Sequence, residues 1–254
     1  MERFTTTRIP EHVGERVTIG GWLHRLRELS NVSFLIVRDG YGLAQVVIDD
    51  EATLEQVRGL PNESVLLVTG MVVSEPAAPG GIELHAPQIE VLSAAAESPP
   101  FDLYRPALHL PLPTMLDYAP VALRHPAKRA AFTISGALAS GFRSTLRAEQ
   151  FTEIQTPKIV ASATESGANV FELDYFGTPA YLAQSPQFYK QMMVGVFERV
   201  FEIGPVFRAE PHDTTRHLNQ YTSLDAEMGF IDDHHTVMRM LYRTIAGMLD
   251  AVQT

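Results

Sequence analysis

The segment Phe207-Arg208-Ala209-Glu210-Pro211-His212-Asp213-Thr214-Thr215-Arg216-His217-Leu218-Asn219-Gln220-Tyr221-Thr222-Ser223-Leu224-Asp225-Ala226-Glu227-Met228-Gly229-Phe230 reads as a strand, a polar loop and a returning strand. Side chains alternate across a strand, so Arg208 and Glu210 share one face, and so do Asp225 and Glu227. If the two strands pair, a cation and three carboxylates converge on one surface, with Arg216, His217 and Tyr221 beside it on the loop. Such a group suits a triphosphate. Arginine grips phosphate bidentately, carboxylates can hold Mg²⁺, and an aromatic ring can stack on a base. Spacing alone leaves the plainer alternative open, and even ahead: the salt-bridged outer face of a sheet.

Working outward, the strands implied by 200–210 and 222–230 alternate with helical patterns. Pro126–Gln150 suits a helix, with proline in its first turn and an apolar stripe of Ile134, Leu138, Phe142 and Leu146. Gln187–Arg199 carries Phe188, Met192, Met193, Val196 and Phe197 on one side. His234–Val252 carries Val237, Met240, Leu241, Ile245, Met248, Leu249 and Val252. These stripes read as core, and the pair His234-His235 reads as a helix start. Shorter strand-like pieces lie at Val170–Leu173 and Ala180–Leu182. Helices flanking an antiparallel sheet make an α+β domain.

The first ninety-odd residues read as β structure. Strands are expected around Val17–Leu23, Val32–Arg38, Leu43–Ile48, Val65–Val73 and Ile82–Leu92, with a tight turn at Asp39-Gly40-Tyr41-Gly42 and a short helix at Glu51–Arg58. Five strands with a helix after the third suggest an all-β OB-fold barrel, whose strand face binds oligonucleotides; a generic small barrel fits the pattern nearly as well. Ala94–Pro120 holds six prolines and reads as extended and irregular. The expected domains are residues 1–95, a linker or hinge at 96–125, and 126–254.

The chain has 254 residues, 45% hydrophobic and 20% charged, enough for two modest domains with buried cores. It has no cysteine, which excludes disulfides and thiolate metal sites, and the nine histidines form no recognisable metal motif. The polar start Met1–Pro10 lacks the apolar core of a secretory signal, and no apolar run reaches the ~20 residues of a membrane span. A cytoplasmic protein is expected. The net charge of −10 argues against loose binding of polyanions, but local basic patches still act, because charges beyond about 10 Å are screened.

Four blocks in order give these patterns a family. Gly21-Trp22-Leu23-His24 with Phe34-Leu35-Ile36-Val37-Arg38-Asp39, Phe151-Thr152-Glu153-Ile154-Gln155-Thr156-Pro157, Gln184-Ser185-Pro186-Gln187-Phe188-Tyr189-Lys190-Gln191 and Phe207–Phe230 resemble, over essentially the whole chain, the aspartyl-tRNA synthetases of class II. The wording of the last block resembles the archaeal and eukaryotic branch. The first block resembles the family's anticodon-binding barrel, the second its motif 1, the third the block that reads aspartate, and the fourth its motif 2.

The resemblance implies roles. Arg208 and Glu210 are the expected catalytic residues, with Arg208 on the α-phosphate and Glu210 near the adenine and the loop. Arg216 and His217 would hold the outer phosphates and Tyr221 would stack on adenine. Lys190 would pair with the side-chain carboxylate of aspartate. Asp225, Gln187 and Glu165, the last in the loop Thr164-Glu165-Ser166-Gly167, would receive its ammonium group. In the barrel, Phe34 and Gln45 would meet anticodon bases and Arg25 and Arg27 phosphates; core packing or plain solvent exposure is the alternative for each. ATP and Mg²⁺ are implied, as are L-aspartate, tRNA-Asp and a homodimer formed through the motif 1 region including Pro157, with no membrane partner. Some members of the branch also charge tRNA-Asn, and contacts near His24 would set that choice.

Asparaginyl-tRNA synthetases share barrel and motifs, but an amide substrate does not call for a cation at Lys190. Nothing here matches the family's motif 3, so a fragment of a longer enzyme is expected, inactive and aggregation-prone by itself. The alternatives are a non-catalytic paralogue and a pure OB-type tRNA-binding protein.

Overall fold

The structure is a computed structural model and describes residues 3–162, 169–212, 214 and 216–253. Two compact units divide at Ala130/Ala131. In the first, β1 (Arg16–Glu28), β2 (Ser33–Arg38), β3 (Leu43–Ile48), β4 (Val65–Ser74) and β5 (Ile82–Ser93) close a barrel in the order β1-β2-β3-β5-β4. Inward positions alternate along each strand and fill the barrel with aliphatic side chains, among them Val17, Ile19, Leu35, Val37, Val46, Leu66, Val68 and Leu84. β1 pairs with β4 through its first half and with β2 through its second, and a register shift between Leu23 and Arg25 lets one strand serve both. Helix α1 (Glu51–Val57) is capped by Asp50, whose carboxylate accepts from Thr53 N. The turn after β2 is built by Asp39: its Oδ1 accepts from Tyr41 N and Gly42 N, and its Oδ2 from Thr6 N.

Gly21 lies where β1 crosses β2 so closely that a Cβ would collide with the carbonyl oxygen of Arg38. The obstacle is the main chain of Arg38, which cannot yield as a flexible side chain would, with a methyl of Val37 close beside it. Gly21→Ala is therefore expected to destabilise the barrel by about 2–3 kcal/mol, in the range of overpacked cores, read as a lower denaturant midpoint of the barrel. An unchanged midpoint would refute the close approach.

The region expected to be wholly irregular contains two short helices, α2 (Leu112–Asp117) and α3 (Ala119–Ala122). Proline stands in the first turn or just before it, where its missing N–H costs nothing, so Pro111, Pro113 and Pro120 start helices rather than forbid them.

In the second unit, β6 (Thr152–Glu153), β10 (Arg199–Phe207) and β11 (Gln220–Met228) form a sheet ordered β11-β10-β6. β7 (Ile159–Val160), β8 (Glu172–Tyr175) and β9 (Thr178–Leu182) form a second sheet ordered β7-β9-β8. The helices are α4 (Pro126–Ala148), α5 (Gln187–Phe197) and α6 (His234–Gln253). One face of the larger sheet packs on α4 and α6: Phe201 meets Phe142 edge to face at 5.8 Å, with Leu146, Phe151, Ile203, Met240 and Met248 around them.

The expected stripes pack only in part. Phe142 and Leu146 of α4 are buried, but Ile134 is exposed, as are Leu241, Ile245 and Leu249 of α6. Helix α5 inverts the expectation: Phe188 (65% exposed), Met192, Val196 and Phe197 face outward, while Lys190 is buried. The charge decides that orientation, because Lys190 finds carboxylates on the sheet beneath the helix.

Candidate active site and nucleic-acid face

The face of the larger sheet that carries Glu202, Asp225 and Glu227 is set by register. Glu202 lies opposite Asp225, Gly204 opposite Ser223, and Val206 opposite Tyr221. Arg208 N donates to Asn219 O at 3.0 Å, which carries the pairing one residue past the end of β10. The guanidinium of Arg208 lies 6.0 Å from the ring centroid of Tyr221, within cation–π range. At the other end of the same face, Lys190 Nζ donates to Asp225 Oδ1 at 2.9 Å and lies 3.6 Å from Glu227 Oε2. Lys190 is 5% exposed. A lysine so buried persists only when carboxylates compensate it.

The expected convergence of a cation with three carboxylates needs one correction. β10 ends at Phe207, and Glu210 N turns back to Arg208 O at 2.8 Å, so Glu210 leaves the strand alternation. The third carboxylate on the face is Glu202, which accepts from Thr156 N and Thr156 Oγ1 and pairs with Lys158 Nζ at 3.0 Å. The sequence reading missed Lys158 and Glu202. The available signal was a lone charge inside the apolar run Val200-Phe201-Glu202-Ile203.

Ala183 ties the block before α5 into this frame. Its N donates to Lys158 O, and its carbonyl accepts from Phe207 N. Gln184 and Ser185 are buried behind it, and Gln187 is half-buried at the start of α5. Arg216 and His217 are exposed on the loop, where His217 Nδ1 is 2.7 Å from Thr214 Oγ1, and the structure does not bring them onto the face. Glu165 lies outside the described residues. Pro157 is exposed between β6 and β7. Among the described residues, no group of three or more His, Cys, Asp or Glu could hold a metal ion.

In the barrel, Arg25, Arg27, Phe34 and Gln45 fall on one outer face by register. Arg27 lies over the Phe34 ring at 5.7 Å, and Arg25 over Tyr104 at 4.5 Å. Gln45 Nε2 donates to Glu83 Oε1, and His85 Nε2 lies 3.0 Å from Glu83 Oε2. A half-buried ring flanked by arginines and amide groups is the chemistry that stacks and reads unpaired bases. Glu83 and His85 join that face beyond the residues the sequence reading singled out.

His24 sits at the register shift of β1, beside Arg38. It is 8% exposed, and Arg38 Nη1 donates to its Nδ1 at 2.9 Å, so its side chain is committed to the fold. Arg38 also donates to Glu63, which takes a second arginine, Arg124. Burial, then the Arg38 charge, lower the His24 pKa from 6.5 to about 4, with Arg25 and His125 adding and Glu63 opposing. Between those values the unfolded chain binds a proton that the folded barrel refuses. Stability is thus complete above about pH 6.5 and falls as pH drops toward 4, by on the order of 3 kcal/mol in full. Denaturant midpoints from pH 7 to 4.5 should drop more steeply for the natural chain than for His24→Gln; equal slopes would remove His24 as the cause.

No helix among the described residues is long and apolar enough to cross a membrane. Against known proteins, the chain is 46% identical to the aspartate–tRNA(Asp/Asn) ligase of Deinococcus radiodurans, covering 100% of this chain and 57% of that one. It is 41% identical to the aspartate–tRNA(Asp/Asn) ligase of Methanopyrus kandleri, covering 99% and 59%. The chain thus spans little more than half the length of these curated relatives. Among solved structures it superimposes on asparaginyl-tRNA synthetase from Pyrococcus horikoshii with asparaginyl-adenylate at a TM-score of 0.89 and 30% identity, covering 100% of this chain and 59% of that one. For the aspartyl-tRNA synthetase of Entamoeba histolytica the TM-score is 0.76 at 28% identity, covering 95% and 53%. Residues 17–92 match the OB-fold nucleic acid binding domain. Residues 112–254, more than half of the chain, match the tRNA synthetases of class II (D, K and N), and the chain belongs to that family.

Proposed function

We propose that the protein is an aspartate–tRNA ligase, which activates aspartate with ATP and passes it to the 3′ end of tRNA-Asp, and to tRNA-Asn as the names of several relatives indicate. The observation that supports this reading is Lys190, buried and held by Asp225 and Glu227 on the face of the sheet. A substrate carboxylate can take the place of one of those carboxylates on the lysine. An amide could not, and would leave the cation less well compensated. Asp225, Gln187 and Glu165 are then left for the substrate ammonium.

The reaction needs no protein nucleophile. The α-carboxylate of aspartate attacks the α-phosphorus of ATP, the bond to the β-phosphate oxygen breaks, and aspartyl-adenylate and pyrophosphate result. A ribose hydroxyl of the tRNA end then takes the aspartyl group, and AMP leaves. The protein holds charged reactants in line and offsets charge as it grows. Arg208 would serve the α-phosphate, Tyr221 the adenine, Glu210 the loop, and Arg216 and His217 the outer phosphates once the loop folds over them. The family's Mg²⁺ finds no seat of its own among the described side chains, since Asp225, Glu227 and Glu202 are taken up by lysines, and no step is assigned to it. The outer barrel face with Phe34, Gln45, Arg25 and Arg27 would take the anticodon. Residues 1–95 would be the anticodon-binding domain, 96–125 the hinge and 126–254 the catalytic portion. Pro157, exposed beside β7, is placed at a homodimer interface, and the setting is cytoplasmic.

The test is aspartate-dependent ATP–pyrophosphate exchange by the longest gene product that contains this chain, with asparagine as the control. A second reading, an asparagine–tRNA ligase, takes its footing from the likeness to an asparaginyl-tRNA synthetase. Exchange with asparagine alone would establish that reading. Exchange with neither would leave a tRNA-binding paralogue.

A further inference from the structure

The ion pair of Lys158 and Glu202 lies on the same face of the sheet, and none of the roles above uses it. Glu202 is 4% exposed and is held by two hydrogen bonds from Thr156 as well as by Lys158. Gly204 makes room for it: a Cβ there would stand 3.4 Å from Lys158 Nζ and 3.3 Å from Glu202 Oε1. Across the strands Glu202 lies directly opposite Asp225, the carboxylate that holds Lys190. Side chains so placed have Cβ atoms about 4.5–5.5 Å apart, and like charges there repel. The charged groups that face one another are thus Lys158 and Lys190 against Glu202, Asp225 and Glu227.

We infer that Lys158 is a positioning residue for the amino-acid substrate: its ammonium group absorbs the charge of Glu202, so that Asp225 and Lys190 stay set for a ligand with two carboxylates and one ammonium. This rests on the aspartate-activating reading. Without Lys158, the buried Glu202 carboxylate would stand uncompensated opposite Asp225. Lys190 would then be shared among Glu202, Asp225 and Glu227 and be drawn off the position that meets the substrate. The face would be one charge more negative, against a substrate that is itself an anion. Removing Glu202 together with Lys158 returns the balance to what it was, and glutamine at 202 keeps an acceptor for Thr156. A pair that served only to staple Thr156 to β10 would show no such compensation.

The experiment is aspartate-dependent exchange by the longest gene product, natural and with K158M, E202Q and both together. Activity of the natural protein with aspartate comes first and tests the reading on which this rests. Given that activity, K158M is expected to raise KM for aspartate about tenfold or more while KM for ATP stays within about twofold, and the double variant to return to within about threefold of the natural value. An unchanged KM for aspartate in K158M overturns the inference, and so does a double variant no better than K158M. Should K158M fail to fold, the double variant and Lys158→Arg decide. Both keep the local charge, so KM near the natural value in both supports the inference, and a tenfold rise in either overturns it.

Discussion

Replacing Arg208 by alanine is expected to lower aspartate-dependent ATP–pyrophosphate exchange by about 10³-fold or more, the loss that follows removal of a group aimed at developing charge. The size of the effect comes from position. Arg208 stands one residue past β10, its backbone locked to Asn219 and its guanidinium beside Tyr221, so strand geometry and not a flexible loop aims it. Lys158 and Lys190, also on the face, are each held by carboxylates and would not take over a phosphate. Lysine should not rescue, because a point charge lacks the planar fork that grips two phosphate oxygens at once. Affinity for tRNA, which the proposed reading assigns to the barrel, should stay within about twofold, since sites that share no partners act additively. Exchange kinetics and filter binding on one preparation decide it. Exchange within tenfold of the natural protein would take Arg208 off the α-phosphate. A parallel loss of tRNA affinity would point to disturbed folding.

How far the residues spell out these elements depends on which force sets each one. The barrel was legible because it is governed by period-two burial and by turn chemistry. Val17, Ile19, Leu35, Val37, Val46 and Val68 alternate inward as the pattern implies, and Asp39 builds the turn that Asp39-Gly40-Tyr41-Gly42 suggests. Helix α5 was legible as a helix, but not the side it turns inward, because its apolar residues outnumber its single lysine and any hydrophobicity count picks the other side. Lys190 turns inward to meet Asp225 and Glu227, and both stand on a single strand, β11, more than thirty residues further along. The prolines of the linker misled for a local reason: the same ring that breaks a helix interior also starts a helix. In the site, alternation placed Asp225 and Glu227 correctly, but it ran on past the end of β10 and chose Glu210 over Glu202. Strand ends are set by what the backbone meets, here a turn from Glu210 N to Arg208 O, and alternation carries no signal of that.

Substitution of Lys190 by methionine should cost aspartate-dependent exchange a further large factor, about 10³-fold in kcat/KM, for a different physical reason. The substrate's side-chain carboxylate would enter beside Asp225 and Glu227 with no lysine to meet it, and a carboxylate set among carboxylates is far more costly than a missing contact. The same substitution strands the two carboxylates in the free protein, so a loss of about 2–3 kcal/mol in stability is expected beside the loss of activity, less than for a fully buried pair because Asp225 and Glu227 keep some contact with water. The two effects separate in the double variant K190M/D225N, where asparagine no longer needs a counter-charge. Its unfolding midpoint should recover most of the lost stability while aspartate exchange stays absent. Recovery of both would mean that Lys190 only holds the sheet together. Recovery of stability alone would show that the lost exchange is a loss of substrate contacts, to which Lys190 and Asp225 both belong, and not a loss of folding.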